Sequence, residues 1–474
     1  MFLYVLLSLF AIIFLILLSR KSVYWTKRNV TQVDGTLWKF FFGDRSLPEY
    51  FAEIYNTHDS HVGIYLGSQP ALVLKDLADV QAVLASDFQS FYKRGIVTNP
   101  NDVLADNVLF MDDFKRWKIL RQKLTPVFTS SKLKNMFYII DRCGRDFVAF
   151  VQDSQEMKAK PFNALYTYTT ASIGASVFGI DTGTSNTMDS PFLTMSWKAV
   201  EPSLKLNIIL FISSMFPKLF KLLKLKIFGD HEDFFVGAVK NVMESRRQET
   251  TKRHDFIEMC LELQNKGLMK DPSTGYELEP TTEILAAQAF FFFIAGADTT
   301  ANTMHFALLS LAGHQDILAK VHDEIDAVFH GKDHLTYSDV EKLQYLDMIV
   351  SESMRLYPTI GSIQRQCTKD TWLPGAKINI EKGTSVIVSV YGIHRDKNLF
   401  PNPDSFDPER FAPNNLSKLK KFSYLPFGEG NRICIGARFA RLQLLTGLAW
   451  LLRRFTLAEQ KYTPDHFERS SFSL

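Results

Sequence analysis

Cys434 sits inside Phe427-Gly428-Glu429-Gly430-Asn431-Arg432-Ile433-Cys434-Ile435-Gly436, and this stretch constrains the chain more than any other. Glycines at 428, 430 and 436 let the backbone approach a planar ligand where side chains would collide. Arg432 supplies positive charge two residues before the cysteine. An apolar helical pattern (Phe439, Leu442, Leu444, Leu445, Leu448) begins just after it. Cys434 is therefore expected near a helix N-terminus, where unpaired N–H groups and the helix dipole favour negative charge and lower a thiol pKa. Together these residues read as a device that holds one cysteine as a thiolate beneath a flat anionic group. The plainer reading is a buried cysteine in a glycine-rich turn. The joint spacing of Phe, Gly, Arg, Cys and Gly argues against it.

The rest of the chain suits one large domain. Of its 474 residues 46% are hydrophobic, and no Pro/Gly/Ser-rich linker, repeat or low-complexity tract divides the body. A net charge of +3 gives no case for nucleic acid as a partner. The cysteines at 143, 260, 367 and 434 fit neither a zinc spacing nor a disulfide framework. They suit a reducing compartment. His330 and His334 flank Gly331 among charged neighbours and read as a solvated turn.

Phe2 to Leu18 is apolar apart from a Tyr and a Ser, long enough as a helix to span about 25 Å, the short end for a membrane crossing. Arg20, Lys21, Lys27 and Arg28 follow, which places that flank in the cytosol. No positive segment precedes the apolar run and no A-x-A-like site follows it, so an uncleaved anchor is expected rather than a signal peptide. Residues 1–19 are assigned to a transmembrane signal anchor, 20–35 to a linker and 36–474 to the catalytic body. The chain has no proline between Met1 and Pro48, so the anchor meets the body without a rigid hinge.

Alternation in His61–Leu66 and Ala71–Leu74 around Gly67 predicts a hairpin. Asp76 is placed to cap a helix running to about Ala85. Helical periodicity covers 113–128, 132–152, 161–178, 233–247, 281–311, 314–329, 338–356 and 436–455, and the β-branched run Thr384–Val390 reads as a strand. The fold class is mainly α with small β-sheets. Leu204–Phe216 is strongly apolar, Pro217 breaks it, and Lys218, Lys221 and Lys224 recur among Leu and Phe. That pattern suits a segment dipping into a membrane interface.

Four segments in order carry a family resemblance. The F-x-x-G-x-R-x-C-x-G pattern at 427–436 resembles the haem-binding loop of the cytochrome P-450 superfamily. Ala295-Gly296-Ala297-Asp298-Thr299-Thr300, Glu352-Ser353-Met354-Arg355 and Pro408-Glu409-Arg410-Phe411 match in the expected order. Trp25-Thr26-Lys27-Arg28, Phe128-Thr129-Ser130-Ser131-Lys132-Leu133 and Ala286-Ala287-Gln288-Ala289-Phe290 are similar to the animal microsomal, xenobiotic-metabolising branch, especially its arthropod members.

The resemblance implies the cytochrome P-450 fold, one haem domain behind the anchor, and haem b held by Cys434 as the axial iron ligand. A thiolate there pushes electron density onto iron and favours O–O cleavage, and N–H groups near 435–436 tune the sulfur. Phe427 packs on the sulfur side of the ring, and Gly436 lets the backbone close beneath it. The two haem propionates need partners. Arg432 is one. Trp117 and Arg121, four apart on one helix face, suit carboxylates as well, and Arg365 matches a further family arginine. His394 sits where some relatives also reach a propionate.

Asp298 and Thr299 form the acid–alcohol pair that delivers protons. Gly296 marks a bend or close approach, and Thr299 can bond backward and open the helix ladder. Glu352, Arg355 and Arg410 resemble the family's structural ionic network. Lys115, Arg116, Lys118, Lys123 and Arg438 offer a basic face for an acidic flavoprotein.

The function implied is a membrane-bound monooxygenase that inserts one atom of O2 into an apolar small molecule, a xenobiotic or an endogenous lipid or hormone. Electrons would come from NADPH through NADPH–cytochrome P-450 reductase, with cytochrome b5 as a further donor. The 40 phenylalanines and the run Phe290–Phe293 point to an apolar pocket. The expected location is the cytosolic face of the endoplasmic reticulum membrane, in contact with lipid. Ser470–Leu474 resembles the start of a final hairpin, which is expected to be incomplete. Two other readings stand beside this one: a haem-thiolate isomerase or dehydratase using a preformed peroxide, and a catalytically impaired truncated haem-binding form.

Overall fold

Alternating apolar residues around Gly67 do form a hairpin, and it becomes the middle of a sheet. The computed structural model describes residues 24–35, 45–67, 69–179, 190–201, 203–249 and 255–460. The expected anchor over 1–19 and the expected start of a terminal hairpin at 470–474 lie outside the described residues.

The strands described are β1 (Thr31–Gln32), β2 (Val62–Leu66), β3 (Gln69–Val73), β4 (Met269–Asp271), β5 (Tyr276–Leu278), β6 (Ile363–Gln366), β7 (Thr371–Leu373), β8 (Ile378–Ile380) and β9 (Ser385–Val388). The main sheet has the order β1-β2-β3-β9-β6; β4–β5 and β7–β8 are separate pairs. β9 is parallel to β3 and antiparallel to β6, and Arg365 faces Val386 in that register. All four residues of β9 are buried, as the β-branched run requires of a central strand.

Helices of ten residues or more are α1 (Leu47–Thr57), α2 (Phe114–Leu124), α3 (Ser130–Asp153), α4 (Pro161–Val177), α5 (Pro191–Val200), α6 (Leu204–Met215), α7 (Glu232–Arg247), α8 (Phe256–Lys266), α9 (Thr282–Ala312), α10 (Gln315–Phe329), α11 (Gln344–Leu356) and α12 (Ala437–Arg454). α9 is apolar almost all round and runs through the core, where such a helix must be buried. Its length and composition would suffice to cross a membrane, but most of it lies inside the body. Thr281 caps its start by accepting the Ile284 amide. Gly296 marks a close approach rather than a bend: a Cβ there would lie 2.8 Å from Ile173 of α4. α9 is unbroken from Thr282 to Ala312.

The single helix expected over 338–356 is instead two, Tyr337–Val340 and α11. Glu324 of α10 accepts the amides of Tyr345 and Leu346 at 2.7 and 3.0 Å, so a carboxylate from a neighbouring helix starts α11 afresh. Likewise 113–128 ends as α2 followed by a 3₁₀ turn, Thr125–Phe128, with Pro126 inside it. Asp76 caps its helix as expected, accepting the Ala78 amide at 2.6 Å.

Candidate functional site

The stretch before α12 is a tight loop whose shape depends on two glycines. Gly428 and Gly430 have φ of 71° and 74°, the left-handed region that side chains disfavour. At Gly430 there is also no room, because a Cβ would lie 1.9 Å from the Leu84 carbonyl oxygen. The Cys434 amide donates to the Phe427 carbonyl at 2.9 Å and closes the loop. The Gly436 amide reaches the Cys434 sulfur. Gly436 occupies the N-cap of α12, and its carbonyl accepts the Ala440 amide at 2.8 Å.

Cys434 is exposed, whereas Cys143, Cys260 and Cys367 are buried. Yet desolvation by surrounding protein pushes its thiol up, against the Gly436 amide, Arg121 and Arg94, which pull it down. The helix start was expected to lower this pKa; burial outweighs it.

Around this sulfur the structure gathers more cations than anions among the described residues. Arg365 and Arg432 are buried. Arg121 donates to the Ile433 carbonyl at 2.7 Å. Arg432 donates to the carbonyls of Val108, Leu109 and Met111 at 3.3, 3.4 and 2.8 Å, and its guanidinium lies 4.6 Å over the Trp117 ring. Arg365 donates to the Gln364 carbonyl at 2.9 Å. The Nε atoms of Arg94, Arg365 and Arg432 are buried with no hydrogen-bond partner among the described residues.

Burial, and then the neighbouring arginines, push Arg432 down to about 9 and Arg94 down to about 10; the same two causes lower Arg365, and burial lowers Arg121. Among the described residues the carboxylate acting on Arg94 and Arg432 is Asp112, which burial pushes up. Four cations against one carboxylate is costly unless a further anionic group completes the site. A planar dianion with an open face toward Cys434 fits that need, and haem with its two propionates is such a group.

Trp117, Arg121, Arg365, Phe427, Arg432, Cys434 and Gly436 were expected together on sequence grounds. Arg121, Cys434 and Gly436 are linked by direct bonds or charge to the loop, and Trp117 is linked through Arg432. Arg94 was not anticipated. An isolated bridge between Lys93 and Gln366 sets it beside Arg365. The only local signal was a basic pair following the apolar Phe91-Tyr92.

His394 does not serve as a propionate ligand. Its Nε2 accepts the Leu425 amide at 2.8 Å, and its Nδ1 lies 3.2 Å from the Arg355 carbonyl, to which it donates in the tautomer the first bond requires. Burial and Arg355 push it down to about 3, so it stays neutral.

On α9, the Thr299 hydroxyl donates to the Ala295 carbonyl at 2.6 Å, a backward bond that leaves the helix intact. Its own carbonyl accepts from Thr303 at 2.8 Å. Burial pushes the Asp298 carboxyl up to about 6, opposed by a bond from Asn302. Phe290, Phe292 and Phe293 are buried in packing with partners such as Phe235 and Phe256, so most of that run is core; Phe291 and Ile294 are half-buried.

Glu352, Arg355 and Arg410 do come together. Arg355 makes a two-pronged bond to Glu352, at 2.7 and 2.8 Å, and donates to the carbonyls of His394 and Pro403. Arg410 Nε lies 3.4 Å from Glu352. Of the basic face, Arg116 pairs with Asp106 and Lys118 with Asp271, which offsets two of its five charges.

The cytochrome P450 family profile matches residues 35–474. The chain is 34% identical to Cytochrome P450 6a2 of Drosophila melanogaster over 477 residues, covering 97% of this chain and 94% of that one. It is 33% identical to Cytochrome P450 6B7 of Helicoverpa armigera over 469 residues, covering 95% and 91%. Cytochrome P450 6B2 of the same species is 35% identical over 471 residues, again covering 95% and 91%.

Proposed function

The chain belongs to the cytochrome P450 family, and from that premise we propose that it is a membrane-bound haem-thiolate enzyme oxidising an apolar small molecule, with electrons from NADPH through a separate reductase. Family membership makes it a haem-dependent monooxygenase that takes O2 and a redox partner. The proposal adds the thiolate, haem b, the electron source, the membrane and the apolar substrate, a xenobiotic or an endogenous lipid or hormone.

When bound, haem supplies the redox-active iron at which O2 is reduced. Cys434 would hold that iron, with the Gly436 amide restraining charge on the sulfur. Arg94, Arg121, Arg365, Arg432 and Trp117 would hold the two propionates, which would supply an anion to the buried Nε atoms of Arg94, Arg365 and Arg432. Phe427 would pack on the sulfur side. Asp298, with its carboxyl pushed up to about 6, can bind and release a proton near neutral pH. Thr299 would pass that proton inward by turning its hydroxyl away from the Ala295 carbonyl. Glu352, Arg355 and Arg410 hold the segment before the cysteine loop in place.

NADPH–cytochrome P-450 reductase and cytochrome b5 would dock near Lys115 and Lys123. The body would lie on the cytosolic face of the endoplasmic reticulum membrane, held by residues 1–19. In support, Ile208, Leu219, Leu222 and Leu223 are exposed apolar residues set among Lys218, Lys221 and Lys224, as a lipid-facing patch requires.

One observation carries the reading: an exposed but desolvated Cys434 beside arginines whose buried Nε atoms have no partner among the described residues. The test is NADPH-dependent dealkylation of an apolar alkoxy-aromatic substrate by the purified chain with a microsomal reductase. Product that requires NADPH, reductase and O2 supports the proposal. Turnover of a hydroperoxide without reductase, and none with it, contradicts it.

A further inference from the structure

Away from the cysteine loop, α3 and the 334–338 segment line an open groove of about 450 Å³. Lys134, Tyr138, Arg142 and Arg145 are spaced 4, 4 and 3 residues apart, so they form one stripe on α3. All four are exposed, and Tyr138 keeps 67% of its surface open. Like charges at such spacings repel. Their opposite face of α3, with Leu133, Phe137, Ile140 and Phe147, is buried.

The far wall is pinned. Asp141 Oδ1 accepts the Leu335 amide at 3.0 Å and Trp450 Nε1 at 2.9 Å, while Arg145 Nε lies 3.4 Å from Oδ2. Tyr337 meets Phe137 edge-on at 6.2 Å, and Thr336 and Asp339 cap each other's backbone. The 334–338 wall is therefore preformed, the Asp141 carboxylate at the floor is already occupied, and the exposed Lys134, Arg142 and Arg145 line the space together with His334. Among the described residues Lys134 and Arg142 form no ion pair.

A volume of this size suits a small molecule rather than a protein surface. Arginines recognise phosphate by paired N–H donors, and an open tyrosine ring offers a stacking face. We propose that this groove binds a small planar phosphate ester of the nucleotide class, with its phosphates on the neighbouring Arg142 and Arg145 and its ring on Tyr138, one turn before Arg142.

Equilibrium dialysis of radiolabelled ADP against the full-length, haem-loaded protein tests this, with adenosine and inorganic pyrophosphate as competitors. The expected result is saturable binding of one ADP per chain, weakened about tenfold or more by both Arg142→Glu and Tyr138→Ala. Both side chains are exposed, so the variants should unfold at the wild-type temperature, which shows they are intact. Absence of saturable binding up to about millimolar ADP overturns the proposal, as does unchanged binding by Arg142→Glu. Pyrophosphate binding as well as ADP, with Tyr138→Ala neutral, would mean a bare anion site and overturns the assignment of a planar ester.

Discussion

Arg432 lies 4.6 Å over the Trp117 ring and donates to three carbonyls of the 108–111 segment, so one side chain ties the cysteine loop to α2. Loop and helix are far apart in sequence and are held in register by this residue. Arg432→Leu should therefore lose both the tie and an anion partner, at a cost of about 3 kcal/mol in stability. Denaturant unfolding measures the first effect. Transfer of haem to a scavenger protein measures the second, and it should be faster in the variant.

Gly428 and Gly430 separate two causes of glycine dependence. Gly428 needs only its left-handed backbone, with Ile363 3.6 Å from a built Cβ. Gly428→Ala should cost about 1 kcal/mol. Gly430→Ala adds a collision with the Leu84 carbonyl and should yield no correctly loaded protein. Thermal unfolding and haem content of the two variants, compared side by side, check this.

Glu352 faces two arginines at zero exposure. Glu352→Ala leaves Arg355 with a buried charge and should destabilise by about 3–5 kcal/mol. Adding Arg355→Met should recover part of that loss, because the stranded charge goes with it. A double-mutant cycle in denaturant gives the number.

Asp298 supplies a pH test with a definite sign. Its folded pKa, about 6, lies above the ordinary 3.8, so the folded state prefers it protonated. No penalty exists below the unfolded value; a penalty grows between about pH 4 and 6 and is full above, reaching about 3 kcal/mol. Asp298→Asn should match the wild type in stability near pH 4 and exceed it increasingly up to pH 6 and beyond. The same variant should slow NADPH-dependent product formation by about 10²-fold, as loss of a proton donor does. Unfolding curves across pH and steady-state rates check the two halves separately.

Much of this was legible in the chain because the deciding contacts are local. Phe427 to Gly436, the Glu352–Arg355 pair and the Asp298–Thr299 pair each lie within ten residues, so spacing alone places them. α9 was legible as a long apolar run and α12 by its apolar spacing. What stayed hidden depends on partners distant in sequence. Arg94 joins the site only because Lys93 bridges Gln366. The break before α11 exists because Glu324 reaches across from α10, and a periodic stretch carries no sign of a cap supplied by another helix. His394 looked available until the Leu425 amide took its Nε2. Phe290–Phe293 looked like pocket lining, and the packing of α7 and α8 made most of it core.

The most direct measurement is the absorption spectrum of the purified, dithionite-reduced, carbon monoxide-bound protein, beside Cys434→Ser. The expected result is a Soret band strongly red-shifted in the wild type, as thiolate ligation produces, and absent from a folded, haem-containing Cys434→Ser. A folded, haem-loaded wild type lacking that band, or a serine variant that keeps it, would contradict the assignment of Cys434 to the iron.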